Sequence, residues 1–235
     1  MRVVSAMKIA MWSGPRNLST AMMYAFGNRT DFSVWDEPFY AAYLKETGMD
    51  HPMREDVLAA YDTDSRTVSL RIMSESGNLF LKLMGFHMCP GFSFEWAEEC
   101  VHAHLIRHPA RVVASYLAKR EKPTLRDIGF EQQVELFQRF PGPVIDSADV
   151  RRDPDTALNS LCSAIGLTFD PAMLRWPEGP KPFDGVWAAH WYNAVHRSTG
   201  FAGEEGPLPD LDGDAAELVR QAMPHYETLR AHAIT

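Results

Sequence analysis

The sequence predicts an α/β fold with three layers, in which helices cover both faces of a central, mostly parallel sheet. Short apolar runs typical of buried strands alternate along the chain with segments in which apolar residues have helical spacing. This alternation is typical of parallel sheets, because the helix between two successive strands crosses over the sheet. With 235 residues, 46% of them apolar, the chain is expected to form a single domain, residues 1–235, with a sizeable core.

Five short apolar runs are the predicted strands. They are Lys8 to Trp12, Phe32 to Trp35, Asn78 to Met84, Ala103 to Ile106 and Pro143 to Asp146. The first, second and fourth end in segments containing proline, which favour a turn or loop after the strand.

The segments between the strands carry the helical patterns. The predicted helices are Leu18 to Gly27, Phe39 to Glu46, Arg54 to Tyr61, Arg111 to Arg120, Phe130 to Phe140, Asp153 to Ile165, Trp187 to His196 and Asp214 to Ala231. The stretch from Phe201 to Gly213 is acidic and has no such pattern, so it is predicted to be a loop, either a lid or a surface excursion.

Charge and cysteine content restrict the classes of function. The formal charge is −8, from 23 basic and 31 acidic residues, so binding to nucleic acid or to an anionic membrane is not expected. An anionic ligand therefore needs a local basic pocket. Three widely spaced cysteines suggest neither a disulfide framework nor a zinc cluster. The first apolar run is too short for a signal peptide, so a soluble cytoplasmic protein is expected.

The loop after the first predicted strand has the features of an anion-binding loop. Its candidate ligand-binding residues are Gly14, Pro15, Arg16, Asn17, Ser19 and Thr20. A loop between a strand and a helix presents backbone N–H groups beside the partial positive charge of the helix terminus. Arginine adds a full charge, and the serine and threonine add hydroxyl donors. The loop lacks the second glycine and the lysine of a G-x-x-x-x-G-K-[ST] P-loop, and a plain turn capped by serine also fits it.

Arg107 ends the fourth predicted strand, and Ser115 follows eight residues later in the next predicted helix. Ligands of open α/β sheets bind at the carboxyl ends of the strands, so Arg107 is placed to face a ligand. A guanidinium can also engage a phosphate through two N–H groups at once. A surface ion pair at the strand end is the alternative interpretation.

Together these two segments resemble the sulfotransferase family. Pro15 to Thr20 is similar to the family's 5′-phosphosulfate loop, P-K-S-G-T-T, with arginine at the lysine position and both hydroxyl residues retained. Leu18 stands where the family has glycine, which makes the backbone less permissive there. The resemblance implies a P-loop-like sulfotransferase fold and 3′-phosphoadenosine 5′-phosphosulfate as co-substrate, with no metal required.

The second segment matches the family's 3′-phosphate motif, R-x-P-x-x-x-x-x-S. Arg107, Pro109 and Ser115 stand at the family's spacing, and the resemblance implies that Arg107 and Ser115 hold the 3′-phosphate. Further along, the chain resembles the family roughly to residue 197, and residues 184–201 resemble a bacterial subgroup of sulfotransferases. Trp187 lies in a segment similar to the family's G-x-W loop over the nucleotide. Its side chain is expected either to pack on the adenosine or to pack in the core.

Sulfuryl transfer needs a base for the acceptor proton and cations near the oxygens that gain charge. Glu37, in an E-P segment similar to that of carbohydrate-type sulfotransferases, is a candidate base, and Asp36 is the alternative. Lys82, a charge inside an apolar strand, is a candidate to stabilise the leaving group together with Arg16. Cytosolic-type members place a histidine two residues after this lysine; here Met84 stands at that position, and His87 is a further candidate base.

The predicted activity is transfer of a sulfuryl group to a hydroxyl or amine of a small-molecule or carbohydrate acceptor. A P-loop-like small-molecule kinase and a nucleotide-binding protein without catalysis are the alternatives. The sequence leaves the acceptor and the oligomeric state open.

Overall fold

The computed structural model describes residues 6–119 and 122–234, which are built around a five-stranded sheet. The strands are β1 (Lys8–Ser13), β2 (Ser33–Asp36), β3 (Leu79–Met84), β4 (Val101–Ile106) and β5 (Val144–Asp146). Their order across the sheet is β2-β3-β1-β4-β5, and every neighbouring pair is parallel. The predicted α/β fold with a parallel sheet is therefore confirmed.

Helices connect the strands and follow the last one. They are α1 (Ser19–Gly27), α2 (Tyr40–Thr47), α3 (Arg54–Ala60), α4 (Ser65–Ser74), α5 (Pro109–Leu117), α6 (Leu125–Ile128), α7 (Phe130–Arg139), α8 (Ser147–Arg152), α9 (Pro154–Ala164), α10 (Ala188–Trp191), α11 (Asn193–His196) and α12 (Gly213–Arg230). None of them, within the described residues, is long and apolar enough to cross a membrane.

Several helices differ from the predicted ones for local reasons, and Arg120, the predicted end of one helix, lies outside the described residues. Helix α4 was not predicted, because its pattern is mixed and Leu70 is exposed, although Asp64 caps its first turn by accepting from the backbone N–H of Thr67. Helix α8 begins directly after β5, where Asp146 caps it. The helix predicted from Trp187 to His196 is divided at Tyr192 into α10 and α11.

The core lies on both faces of the sheet. Along β1, Ile9 and Met11 belong to the apolar cluster that includes α1, while Ala10 and Trp12 belong to the cluster that includes α4. Successive strand side chains point to opposite faces, so a strand with every residue buried needs helices on both sides. This is the three-layer arrangement that the alternating pattern predicts.

The strand order places two loops side by side at the carboxyl edge of the sheet. From β1 the chain leaves through α1 towards β2, whereas from β4 it leaves through α5 towards β5 on the other side. Strands β1 and β4 are neighbours, but the connections that follow them run towards opposite ends of the sheet. The crevice between the two loops at this position is where open α/β sheets bind ligands.

Candidate active site

A cavity of about 660 Å³ opens at this edge of the sheet. Most of the predicted site residues line it: Pro15, Arg16, Asn17, Ser19, Thr20, Glu37, Lys82, His87 and Trp187. Gly14, Arg107 and Ser115 lie outside its lining. The structure therefore brings the predicted anion loop and the predicted catalytic side chains to one cavity.

The loop between β1 and α1 contains two residues with left-handed backbone conformations. Arg16 has φ 62°, and Leu18 has φ 74° and ψ 8°. A leucine thus adopts the conformation that a glycine would favour at this position, at a cost of roughly 1 kcal/mol. The replacement of glycine by leucine does not prevent the turn, and the strain is located at the candidate ligand site.

Gly14 and Asn17 hold this loop against its neighbours. A Cβ on Gly14 would lie 3.0 Å from the carbonyl oxygen of Ile128, closer than side chains normally pack. Asn17 is buried, and its Nδ2 donates to the carbonyl oxygen of Leu105 in β4 at 3.1 Å. No side chain caps α1, so the N–H groups of its first turn remain directed at the loop.

Arg16 extends from the loop between two aromatic rings. Its guanidinium carbon lies 5.6 Å from the ring centroid of Tyr116 and 5.2 Å from that of Trp191, so both rings favour its positive charge. The Arg16 carbonyl oxygen accepts from Nη1 of Arg107 at 2.7 Å. The side chain is thus held over the cavity while its backbone is tied to the end of β4.

Lys82 is buried among two carboxylates and a phenol. Its Nζ donates to Asp36 at 2.9 Å, to Tyr192 at 2.8 Å and to Glu37. Burial acts to lower the pKa of Lys82, but the two carboxylates outweigh it, and the pKa is raised. The lysine is therefore charged, and the three N–H groups of its ammonium are engaged.

The two adjacent carboxylates have different surroundings. Asp36 accepts from Lys82, from the Tyr192 hydroxyl and from the backbone N–H of Gly185, and it does not belong to the cavity lining. Glu37 lines the cavity and has a strained backbone, with φ 44°. This geometry favours Glu37 over Asp36 as a base. Burial raises the pKa of Glu37 against the opposing effect of Lys82, and Asp36 raises it further.

His87 is buried beside the same carboxylate. Its Nδ1 lies 3.9 Å from Oε2 of Glu37, too far for a hydrogen bond, and its ring stacks on Tyr40 with centroids 4.8 Å apart. Burial lowers the pKa of His87 well below its ordinary value, and the nearby His51 and Lys82 lower it further. The imidazole is therefore neutral, and the same effects make it a weak base.

Trp187 and Tyr192 form the wall behind Lys82. Trp187 is only 2% exposed, and its Nε1 donates to the Tyr192 hydroxyl at 3.1 Å. Its ring packs edge-on against Tyr40, with centroids 5.1 Å apart. Of the two roles expected for Trp187, the structure shows core packing beside the catalytic candidates; its contact with an adenosine stays a prediction.

Arg107, at the end of β4, faces a carboxylate from a distant part of the chain. Glu205 pairs with Arg107, with Arg111 of α5 at 3.0 Å and with Arg151 of α8 at 2.7 Å. Ser115 lies half-buried in α5, four residues after Arg111 and hence on the same side of the helix. An ion pair of Arg107, the alternative that the sequence left open, is thus present, but it is largely buried instead of lying at the surface, and it includes two further arginines.

Sequence reasoning missed Tyr192, Trp191, Arg111, Arg151 and Glu205. The two aromatic residues have no pattern that distinguishes them from core residues of a helix. The two arginines and the glutamate come from three separate segments, so only the folded chain shows that they meet. Within residues 6–119 and 122–234, no three His, Cys, Asp or Glu side chains are grouped so that they could hold a metal ion.

Comparison with known proteins adds family information to this geometry. Residues 7–233 match the family model described as a sulfotransferase domain. Two solved structures are similar over nearly their whole length. The sulfotransferase domain of the Synechococcus PCC 7002 olefin synthase is 17% identical, with a TM-score of 0.51 and coverage of 92% of this chain and 94% of that one. The sulfotransferase domain from the curacin biosynthetic pathway is 13% identical, with a TM-score of 0.55 and coverage of 95% and 98%.

Two curated relatives come from Arabidopsis thaliana. They are the branched-chain-amino-acid aminotransferase-like proteins 1 and 2, which are 35% and 34% identical over 232 residues. These matches cover 95% of this chain but only 42% and 41% of the relatives, so the chain spans less than half of their length.

Proposed function

The chain belongs to the sulfotransferase family, and we propose that it transfers a sulfuryl group from 3′-phosphoadenosine 5′-phosphosulfate to a hydroxyl or amine of a small-molecule or carbohydrate acceptor. The observation that carries this proposal is the shared cavity, which is lined both by the predicted anion loop and by Glu37, Lys82 and His87. A donor held by the loop would meet an acceptor at these side chains. Proximity of this kind is a large part of catalysis in group transfer.

The residues of the loop suit the donor's 5′-phosphosulfate. Arg16 supplies a full positive charge, Ser19 and Thr20 supply hydroxyl donors, and the first turn of α1 supplies backbone N–H groups. Arg107 and Ser115 are proposed to hold the 3′-phosphate on the neighbouring strand and helix. Both sites lie at the carboxyl edge of the sheet, beside β1 and β4.

The proposed reaction is an in-line displacement. Glu37 accepts the proton of the acceptor hydroxyl as the acceptor oxygen bonds to sulfur, and the bond from sulfur to the 5′-phosphate oxygen breaks. The electron pair of that bond leaves on the phosphate, where Arg16 stabilises it. When Glu37 becomes neutral, its hold on Lys82 weakens, and one N–H of the ammonium is released towards the transferring group.

His87 is the second candidate base. It is neutral and lines the same cavity, and it lies beside Glu37. A proton taken up by its Nδ1 would be stabilised by the Glu37 carboxylate. Substitution of Glu37 and of His87 in separate variants distinguishes which of the two is the base.

The apolar part of the cavity lining favours acceptors with an apolar, flat part. This part of the lining is formed by Tyr40, Tyr43, Met49, Phe86 and Trp191. Aromatic walls with a few convergent polar groups are typical of small-molecule sites.

Binding of adenosine 3′,5′-bisphosphate, the product of the donor, tests the proposal. We expect it to raise the melting temperature of the wild type, with a much smaller shift in Arg107→Ala and little shift with ATP. A ligand held only by the folded state stabilises by about 2.7 kcal/mol at a hundred times its Kd. No shift, or a larger one with ATP and magnesium, would contradict the proposal and favour a kinase-like activity.

A further inference from the structure

The acidic loop between α11 and α12 places one buried carboxylate on the predicted 3′-phosphate site. Its side chains at Glu204 and Pro207 are exposed, as is Gly206, whereas the side chain of Glu205 is only 6% exposed. The loop is thus not a simple surface excursion. One acidic residue turns inward from an otherwise solvated segment.

Three guanidinium groups surround this carboxylate. Arg107 comes from the end of β4, Arg111 from α5 and Arg151 from α8, and each forms an ion pair with Glu205. The loop backbone takes part as well, because Arg151 Nε donates to the carbonyl oxygen of Gly203 at 2.9 Å and Arg111 Nη2 donates to that of Gly206.

The charges of this cluster are not balanced. Three positive charges face one negative charge, which leaves a surplus of two. A phosphate monoester carries about −1.5 to −2 at neutral pH and presents three acceptor oxygens. Converging guanidinium groups are the usual protein partners of such a group, since each can donate two N–H bonds. The cluster therefore suits a phosphate monoester better than a single carboxylate.

We propose that Glu205 occupies the place of the donor's 3′-phosphate, and that nucleotide binding displaces it from Arg107, Arg111 and Arg151. This inference rests on the proposed function and extends it. Arg111 and Arg151 become ligands of the 3′-phosphate in addition to Arg107 and Ser115. The loop from residue 201 to residue 212 becomes a segment that opens when a nucleotide with a 3′-phosphate binds.

Competition of this kind has a measurable consequence. The nucleotide must displace Glu205 before its 3′-phosphate binds, so the free energy of the Glu205 ion pairs lowers the affinity for the nucleotide. Removal of the Glu205 charge should restore the affinity lost in this way. The effect is confined to ligands that carry a 3′-phosphate, because Glu205 contacts arginines outside the lining of the main cavity.

The test measures the Kd of adenosine 3′,5′-bisphosphate and of adenosine 5′-monophosphate by calorimetry in two matched pairs of variants. Glu205→Gln is compared with Glu204→Gln, which removes the same charge from the exposed neighbour. Arg151→Ala is compared with Arg152→Ala, whose side chain is 58% exposed and pairs with Asp149 instead. Melting temperatures establish that each variant is folded.

We expect Glu205→Gln to bind the bisphosphate about tenfold more tightly than Glu204→Gln does, and Arg151→Ala to bind it about tenfold more weakly than Arg152→Ala. The monophosphate should show neither difference. Hydrogen exchange at the backbone amides of residues 201–212 should become faster when the bisphosphate binds to the wild type.

Two results would overturn the inference while the proposed function stands. One is a bisphosphate affinity in Glu205→Gln that equals or falls below that in Glu204→Gln, which would make Glu205 neutral or a support for the arginines. The other is slower exchange of residues 201–212 on binding, which would mean that the loop stays closed. If the bisphosphate binds neither the wild type nor any variant, the proposed function fails and this inference fails with it.

Discussion

Arg107 donates a hydrogen bond from Nη1 to the backbone carbonyl oxygen of Arg16, across 2.7 Å. The residue directly after β4 thereby holds the loop that follows β1, so a hydrogen bond links the two predicted anion sites. Arg16 has a positive φ, and an external hydrogen bond helps to maintain such a conformation.

The first prediction concerns this double role of Arg107. In Arg107→Lys a single ammonium replaces a planar group with several N–H donors, so it cannot support both the Arg16 carbonyl and an anion. We expect at least a tenfold loss of affinity for adenosine 3′,5′-bisphosphate and also a loss for adenosine 5′-monophosphate, measured by calorimetry. Unchanged monophosphate binding would show that the hydrogen bond to Arg16 does not support the loop.

The second prediction concerns Leu18, which has φ 74°. Glycine relieves the strain of a positive φ but loses the contacts of the leucine with the core, so Leu18→Gly should change the free energy of unfolding by no more than about 1 kcal/mol. Leu18→Val should lower it by about 1 to 3 kcal/mol, because a β-branched side chain is poorly tolerated there. Urea denaturation of both variants gives the comparison. Equal stability of the two would contradict the argument from strain.

The third prediction identifies the base. Glu37→Gln should reduce sulfuryl transfer at least a hundredfold, while the affinity for adenosine 3′,5′-bisphosphate stays close to that of the wild type. Burial raises the pKa of Glu37, and a base acts in its deprotonated form. The rate should therefore fall as the pH is lowered through a pKa above the ordinary 4.5 of a glutamate. Full activity in Glu37→Gln together with an inactive His87→Ala would assign the base to His87.

The fourth prediction concerns the hydroxyl of Tyr192. It donates to Asp36 and accepts from Lys82 and from Trp187 Nε1, so its removal leaves the buried Trp187 Nε1 without its partner and takes a hydrogen bond away from both Asp36 and Lys82. Tyr192→Phe should lower the free energy of unfolding by about 1 to 3 kcal/mol in urea denaturation. Tyr61→Phe is the control, because the hydroxyl there accepts one long bond of 3.3 Å from Val186 and a smaller loss is expected. An equal loss in both variants would contradict the importance of the network.

The fifth prediction concerns acid stability. His104 is fully buried in β4 beside the Phe140 carbonyl, and burial lowers its pKa to about 4. Between pH 6.5 and 4 the unfolded chain binds a proton that the folded chain does not, so stability falls as the pH falls, by about 2 kcal/mol at pH 5. Urea denaturation at pH 7 and pH 5 should show this loss in the wild type and a smaller one in His104→Gln. An equal loss in both would assign the acid sensitivity to other histidines.

The sheet and the loops that follow β1 and β4 could be predicted because their causes are local. A buried strand such as Leu79–Met84 is an apolar run with one lysine inside it. The lysine stands out in the sequence because a buried charge is costly. The partners of Lys82 could be anticipated only in part. Glu37 was a candidate in its own right, whereas Tyr192 lies far along the chain and meets Lys82 only through the fold.

The cluster around Glu205 could not be predicted from local sequence patterns. An acidic loop and scattered arginines have the same composition whether they are solvated or paired, and no periodicity separates the two cases. Helix α4 escaped prediction for a related reason, because exposed Leu70 breaks the amphipathic pattern while the capping residue Asp64 is a weak indication on its own. Long-range pairing of charges is therefore the part of this site that local patterns cannot reveal.

The strand order places the proposed catalytic residues and the arginines proposed for the donor on two different halves of the sheet. Glu37 follows β2 directly and Lys82 lies in β3, whereas the arginines proposed for the donor's 3′-phosphate lie directly after β4 and in the helices α5 and α8. From the proposed function we expect substitutions on the half with Glu37 and Lys82 to alter which acceptor is chosen without disturbing how the donor is held. Acceptor preference is then the more evolvable property, and a library of variants confined to α2 and the segment after β3 is the economical way to redirect it.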